Sequence, residues 1–185
     1  MTDPARVVVA DPPWLFGDKL PGAGRGAVKH YPCLPLRNLA SLSLPPIASN
    51  AVLFLWRVSA MPSEALEVCK AWGFEPKSEI VWVKTKVNDP PDAIASRLAF
   101  GMGRQVRMCH ETCIIATRGR CPPKSRSTRS VFFAPRSRHS EKPEAFYDLV
   151  EGMHGGPYLE LFARRIRPGW TCVGHDVGST LEVSQ

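Results

Sequence analysis

VVVADPPWLF occupies residues 7–16, and its two halves make different demands on the chain. Val7, Val8, Val9 and Ala10 form a short apolar run, mostly β-branched, as expected of a strand buried on both faces. Asp11, Pro12, Pro13 and Trp14 then put a carboxylate, two rigid prolines and an indole at that strand's end. Asp-Pro-Pro recurs at Asp89-Pro90-Pro91, without an aromatic and after the polar run Lys84-Thr85-Lys86-Val87-Asn88. Asp-Pro-Pro alone is turn chemistry. The strand before the first copy and the indole after it set that copy apart.

Further apolar runs rich in Val, Ile, Phe and Trp follow at residues 51–58, 78–84, 108–117, 130–134, 158–162 and 171–174. The first strand is expected over residues 6–10. Helices fall between some of them. Pro62 opens one, Ala65, Leu66, Val68, Cys69 and Trp72 give it an apolar face, and Gly73 ends it. Another runs from Pro143 through Phe146, Tyr147 and Val150 to about Gly152, and a weaker one covers residues 36–42. Strands alternating with helices predict a single α/β domain over residues 1–185, with an open, largely parallel sheet. Ligands of such sheets bind outside the carboxyl ends of the strands, which is where Asp11 falls.

The chain's 185 residues carry 24 Lys and Arg against 17 Asp and Glu, a net charge of +7. No apolar run approaches the ~20 residues needed to cross a bilayer. The N-terminus does not read as a secretory signal, so the six cysteines are expected reduced, in a cytoplasm. The positive charge concentrates between Arg118 and Lys142, where eight cations (among them Arg118, Arg126, Arg129 and Arg138) face the single acid Glu141. Ser, Thr and Pro interleave them, a composition suited to phosphates and hence to nucleic acid.

Three long loops interrupt the plan, at residues 17–35, 85–105 and 119–129. Gly22-Ala23-Gly24-Arg25-Gly26 neither follows a strand directly nor opens a helix, so it reads as a flexible lid rather than a phosphate cradle. Cys109-His110-Glu111-Thr112-Cys113 invites a zinc reading, but on a strand His110 points away from Cys109, Glu111 and Cys113. No second matching pair is present, and no metal site is expected. Glu111, inside an apolar strand, requires a Lys or Arg partner.

Asp11-Pro12-Pro13-Trp14 suits one kind of chemistry. An exocyclic amino group on an aromatic base has its lone pair delocalised into the ring. Two acceptors on its two N–H groups favour a pyramidal nitrogen and aim the lone pair. A carboxylate and a backbone carbonyl are such acceptors, proline stiffens the segment, and an indole stacks on the base.

The sequence here resembles the MT-A class of N6-adenine methyltransferases. The resemblance rests on ADPPW (10–14), LFLWRV (53–58), SEIVWVKT (78–85), HETCIIATRG (110–119), HSEKPEAFYDLVE (139–151), LELFAR (159–164) and RPGWTCVG (167–174), in that order. It implies a Rossmann-like fold using S-adenosylmethionine, circularly permuted so that the catalytic motif precedes the main cofactor segment. It implies Asp11, Pro12, Pro13 and Trp14 as the catalytic motif. Ala10, Asp11, Lys142, Glu160, Phe162, Arg164, His175 and Asp176 fall to the cofactor, with Lys142 at its carboxylate. Trp14, Tyr31, Lys29 and Arg118 fall to the substrate, and Glu111 supports Lys142 by pairing with it. Phage and bacterial members are the most similar in character.

The expected reaction is direct methyl transfer to adenine N6 in DNA, with flipping where the target is duplex. RNA as substrate is the first alternative. A catalytically silent nucleic-acid-binding subunit is the second, disfavoured because the motif's acid and aromatic are both intact. A homodimer or a partner subunit is compatible with the sequence, and no membrane association is expected.

Overall fold

The computed structural model of the chain describes residues 3–15, 33–86, 98–99, 105–136, 141–179 and 181–182. Among these, seven strands form one sheet: β1 (Ala5–Ala10), β2 (Ile47–Arg57), β3 (Glu75–Thr85), β4 (His110–Arg118), β5 (Val131–Pro135), β6 (Tyr158–Leu161) and β7 (Trp170–Val173). Three helices accompany them: α1 (Leu36–Ala40), α2 (Pro62–Ala71) and α3 (Glu144–Met153). Every expected strand and helix is present, with shifted ends. Pro62 occupies the first turn of α2, where its missing N–H costs nothing, and Gly73 follows the helix at φ 77°.

The sheet order is β5-β3-β4-β2-β1-β6-β7. β1 sits between β2 and β6, parallel to both, and the β6–β7 and β3–β5 pairs are also parallel. β4 departs from the expected parallel plan: it runs antiparallel to β2 and to β3. A period-2 apolar pattern is the same in either direction, so composition carried no sign of this reversal.

The two faces of the sheet bury different side chains. Val7 and Val9 of β1, Phe54 and Trp56 of β2, Ile80 and Trp82 of β3 and Cys113 of β4 pack with Phe146, Tyr147 and Val150 of α3. On the other face Val8, Ala10, Leu53, Leu55, Ile114 and Ala116 pack with Leu39 of α1 and Ala65, Val68 and Cys69 of α2. Each fully buried Val or Leu of these layers contributes about 1.5–3 kcal/mol through removal of its surface from water. With both faces covered, the central strands read as unbroken apolar runs. The architecture is the Rossmann-like α/β arrangement. No described helix is long and apolar enough to cross a membrane.

Candidate active site

The side chains on the α3 face become polar where the parallel strands end. After Val7 and Val9 the next residue of that face is Asp11. Ala10 pairs with Leu55 and Leu161, so Trp56 and Phe162 flank Asp11 along the sheet edge. On β3, Ile80 and Trp82 lead to Lys84, and on β4, Cys113 is preceded by Glu111, the direct partner of Trp82. Glu160 pairs with Val9 one step deeper. The alternation that buries the core thereby brings three carboxylates and a lysine to one edge of one face.

Lys142 arrives from above, just before α3, whose N-cap is Pro143. Its side chain is only 7% exposed. Its ammonium lies 2.6 Å from Asp11 Oδ2 and 3.1 Å from Glu111 Oε2, with the Trp56 ring centroid at 5.0 Å. Lys84 donates to the other Glu111 oxygen. The result is a chain of alternating charge: Asp11, Lys142, Glu111, Lys84. Burial opposes the charge on Lys142, but the carboxylates of Asp11 and Glu111 outweigh it and hold the ammonium well above its ordinary range. Burial also works against the Glu111 carboxylate, yet Lys142 and Lys84 together keep it below the usual glutamate value.

Glu160 accepts a hydrogen bond from Tyr147 Oη at 2.7 Å. Its second oxygen and the indole N–H of Trp56 are both buried and have no hydrogen-bond partner among the described residues. A buried polar atom without a partner costs about 1–3 kcal/mol, so two at one cleft mark a place built for a ligand's polar groups. Burial raises the Glu160 carboxyl, against the lowering effects of Tyr147 and Arg167.

Phe162, just after β6, has φ 63°, a left-handed conformation costing a non-glycine residue about 1 kcal/mol or more. The turn lays the backbone of Phe162 and Ala163 directly on Gly174. A Cβ at Gly174 would stand 2.3 Å from the Ala163 carbonyl oxygen. Only glycine admits this approach. Around the turn lie two clefts. One, of about 430 Å³, is lined by Asp11, Trp56, Glu141, Lys142, Tyr147 and Glu160, and also by Val9, Phe162, Arg164 and Arg165. The other, of about 230 Å³, is lined by Pro13, Leu34, His175 and Asp176 among others. Asp11, Phe162 and Arg164 line both.

Residues 5–176 match the family model MT-A70. The chain belongs to the MT-A70 family. It is 30% identical over 193 residues to the Type II methyltransferase M.MunI of Mycoplasma sp, covering 93% of this chain and 77% of that protein. It is 27% identical over 176 residues to the N(6)-adenosine-methyltransferase catalytic subunit METTL3 of Homo sapiens, covering 92% of this chain and 28% of that protein. The MT-A70-like N(6)-adenosine-methyltransferase of Drosophila melanogaster is likewise 27% identical, with 26% of its length covered. The chain thus spans about a quarter of the length of the adenosine methyltransferases it matches. Membership makes it an adenine-N6 methyltransferase by family, and the MT-A70 family uses S-adenosylmethionine.

The structure brings Asp11, Pro13, Lys142, Glu160, Phe162, Arg164, His175 and Asp176 onto the two adjoining clefts, with Glu111 behind Lys142. Other residues expected at the site line neither cleft. Trp14 is 4% exposed, packs in the core on the α1–α2 face, and donates its indole N–H to the Trp56 carbonyl at 3.0 Å. Its bulk and its hydrogen bond anchor the Asp-Pro-Pro segment from below. Ala10 is wholly buried and touches neither cleft. Pro12 is buried, and its carbonyl accepts the Trp14 N–H at 2.8 Å. The Pro13 carbonyl accepts the Leu34 N–H at 2.8 Å. A carbonyl oxygen has two lone pairs, so each retains capacity for one further donor. Arg118 sits at the opposite end of the strands, paired with Ala51, and donates to the carbonyls of Trp72 and Gly73. It secures the end of α2. Tyr31, Lys29, Arg138 and the glycine-rich stretch 22–26 lie outside the described residues.

Sequence reasoning missed Trp56, Tyr147, Lys84, Glu141 and Arg165. Each stood inside or beside a recognised block. The usable signal was face parity: Trp56 and Lys84 are the last residues of rows whose earlier members are apolar. Arg165 pairs with Glu141 at 3.3 Å and also with Glu144, tying the turn after β6 to the start of α3.

Proposed function

We propose that this chain methylates adenine N6 in DNA, with S-adenosylmethionine bound along the two adjoining clefts and the adenine amino group held at Asp11. The single observation carrying this reading is the position of Asp11: its carboxylate borders both clefts and is fixed by Lys142 at 2.6 Å. The residues fit the cofactor. Lys142 offers a buried cation for a carboxylate, the unpartnered Glu160 oxygen offers an acceptor for a hydroxyl, and Gly174 keeps the floor open beneath Phe162. The bound cofactor would supply an electrophilic methyl group on a sulfonium. Asp11 would accept one amino N–H of the base and a proline carbonyl the other, aiming the nitrogen lone pair. No strong base is required, because the carboxylate need only stabilise positive charge developing on nitrogen. The ammonium of Lys142, 2.6 Å from Oδ2, orients the Asp11 carboxylate for that role.

DNA is favoured because the match covers 77% of the type II methyltransferase but only about a quarter of each adenosine methyltransferase. The word adenosine in those relatives' names keeps RNA as the second reading. Circular permutation is part of the proposal, its basis being that the motif at Asp11 precedes the proposed cofactor segments at Lys142 and Glu160–Arg164 in the chain. The exposed cations Arg120, Arg126, Arg129 and Arg136 would meet the phosphates. Matched DNA and RNA oligonucleotides incubated with methyl-tritiated cofactor test the reading. Label in DNA, abolished by Asp11→Ala in a folded protein, is expected. Unchanged turnover of the variant would overturn the role of Asp11.

A further inference from the structure

Lys142 has attention from both sides, but the residue that balances it lies one strand further out. Lys84 contacts no carboxylate of the cleft itself and lines neither cleft. It holds Glu111 Oε1, while Lys142 holds Oε2. The geometry beneath is fixed. The Lys84 ammonium stands 5.1 Å from the Trp82 ring centroid, and that of Lys142 stands 5.0 Å from Trp56. The two indoles pack edge to face with centroids 6.4 Å apart. Two ammonium groups thus stand on two interlocked aromatic rings with one carboxylate between them. The Lys84 backbone is pinned as well, its N–H to the Cys109 carbonyl at 2.8 Å and its carbonyl to the Ala99 N–H at 2.7 Å. Trp82 and Glu111 are direct cross-strand partners, and Lys84 is the next residue along on the same face, a diagonal neighbour within reach of a long side chain.

We propose that Lys84 is a positioning residue for Lys142: by neutralising Glu111 from behind, it leaves Lys142 shared with Asp11 and able to receive an anionic group of the cofactor. This rests on the methyltransferase reading. With Lys84 present the group holds two positive and two negative charges. Without it, Lys142 alone serves two carboxylates, and the full charge of Glu111 both draws the ammonium away from Asp11 and repels an incoming carboxylate. The consequence is selective. A ligand bearing the amino-acid carboxylate suffers, and one lacking it does not.

The test compares S-adenosylhomocysteine with 5′-methylthioadenosine by calorimetry, using the full chain as wild type, Lys84→Met, Lys84→Gln and Lys84→Arg. The expected result is about tenfold weaker binding of S-adenosylhomocysteine to the Met and Gln variants, a loss of about 1.4 kcal/mol. Binding of 5′-methylthioadenosine should stay within about twofold, and Lys84→Arg should restore the first ligand. Equal weakening of both ligands would overturn the proposal in favour of a purely structural lysine, as would no change in either. Should the Met variant not fold, the Gln and Arg variants decide the same question. A wild type that binds neither ligand overturns the methyltransferase reading itself and the proposal with it, an outcome distinct from any failure confined to the variants.

Discussion

Lys142 and Asp11 are 131 positions apart in sequence and 2.6 Å apart in space. The contact joins the end of β1 to the start of α3. It holds the candidate catalytic carboxylate from the side that α3 covers, and Glu111 holds Lys142 in turn.

Replacing this lysine should therefore damage stability and function together, with a particular pH dependence. Lys142→Met leaves two partly buried carboxylates without their shared cation, at a cost of about 3 kcal/mol near neutral pH. The wild-type contribution has two limits. Glu111 is held below its ordinary value of 4.5, so its share is present above that pH and is lost as pH falls through the lower, folded value. Lys142 is held above its ordinary 10.5, so its share is present below that pH and is lost as pH rises through the higher, folded value. Urea titrations from pH 3 to pH 10 should show the gap between variant and wild type widest between about pH 5 and 10, narrowing on acidification.

Trp14 is predicted to be a stability residue rather than a base-stacking one. Trp14→Phe loses the 3.0 Å hydrogen bond to the Trp56 carbonyl, about 1 kcal/mol, which lowers Tm by roughly 2–4 °C. Trp14→Ala should cost about 3–5 kcal/mol. The Phe variant should keep the wild-type KM for nucleic acid. A raised KM with an unchanged Tm would return Trp14 to the substrate.

Glu160 should show the opposite balance, since burial raises its carboxyl in the folded state. Its contribution to stability is therefore greatest below the ordinary glutamate value of 4.5 and is lost as pH rises through the raised folded value. Glu160→Gln keeps an acceptor for Tyr147 and removes the buried charge. Its Tm at pH 8 should equal or exceed that of wild type, while cofactor affinity measured by calorimetry falls at least tenfold. Loss of both together would show that the carboxylate is structural.

Gly174→Ala places a methyl group against the Ala163 backbone, which is not a flexible side-chain tip able to swing away. The variant should lose about 1–3 kcal/mol. It should also displace the Phe162 turn, and so weaken cofactor binding beyond what stability alone accounts for. Thermal melts with and without S-adenosylhomocysteine measure both effects.

Much of this architecture was legible in the residues. Val7, Val8 and Val9 announced a buried strand because both faces of the sheet are covered. The Pro62 and Gly73 pair bracketed α2 by backbone chemistry that tertiary context did not override. Glu111 betrayed its partner because a carboxylate in an apolar strand must have one, and Lys142 sits where a helix begins. Three things were hidden. The direction of β4 was invisible because a buried strand reads alike both ways. The burial of Trp14 was invisible because an indole beside Asp-Pro-Pro fits either face of the sheet edge, and the bridge to Leu34 accompanies its place in the core. Lys84 was passed over because its role is read from its neighbours across two strands, not from its own surroundings in the chain.

The central claim is that Asp11 presents an adenine amino group to a methyl donor. Nucleoside mass spectrometry tests it most directly, applied to unmethylated DNA and to RNA after incubation with the purified protein and S-adenosylmethionine. The account predicts N6-methyladenine in the DNA digest, lost with Asp11→Ala. Methylation of cytosine, or of no base in either nucleic acid, would contradict it.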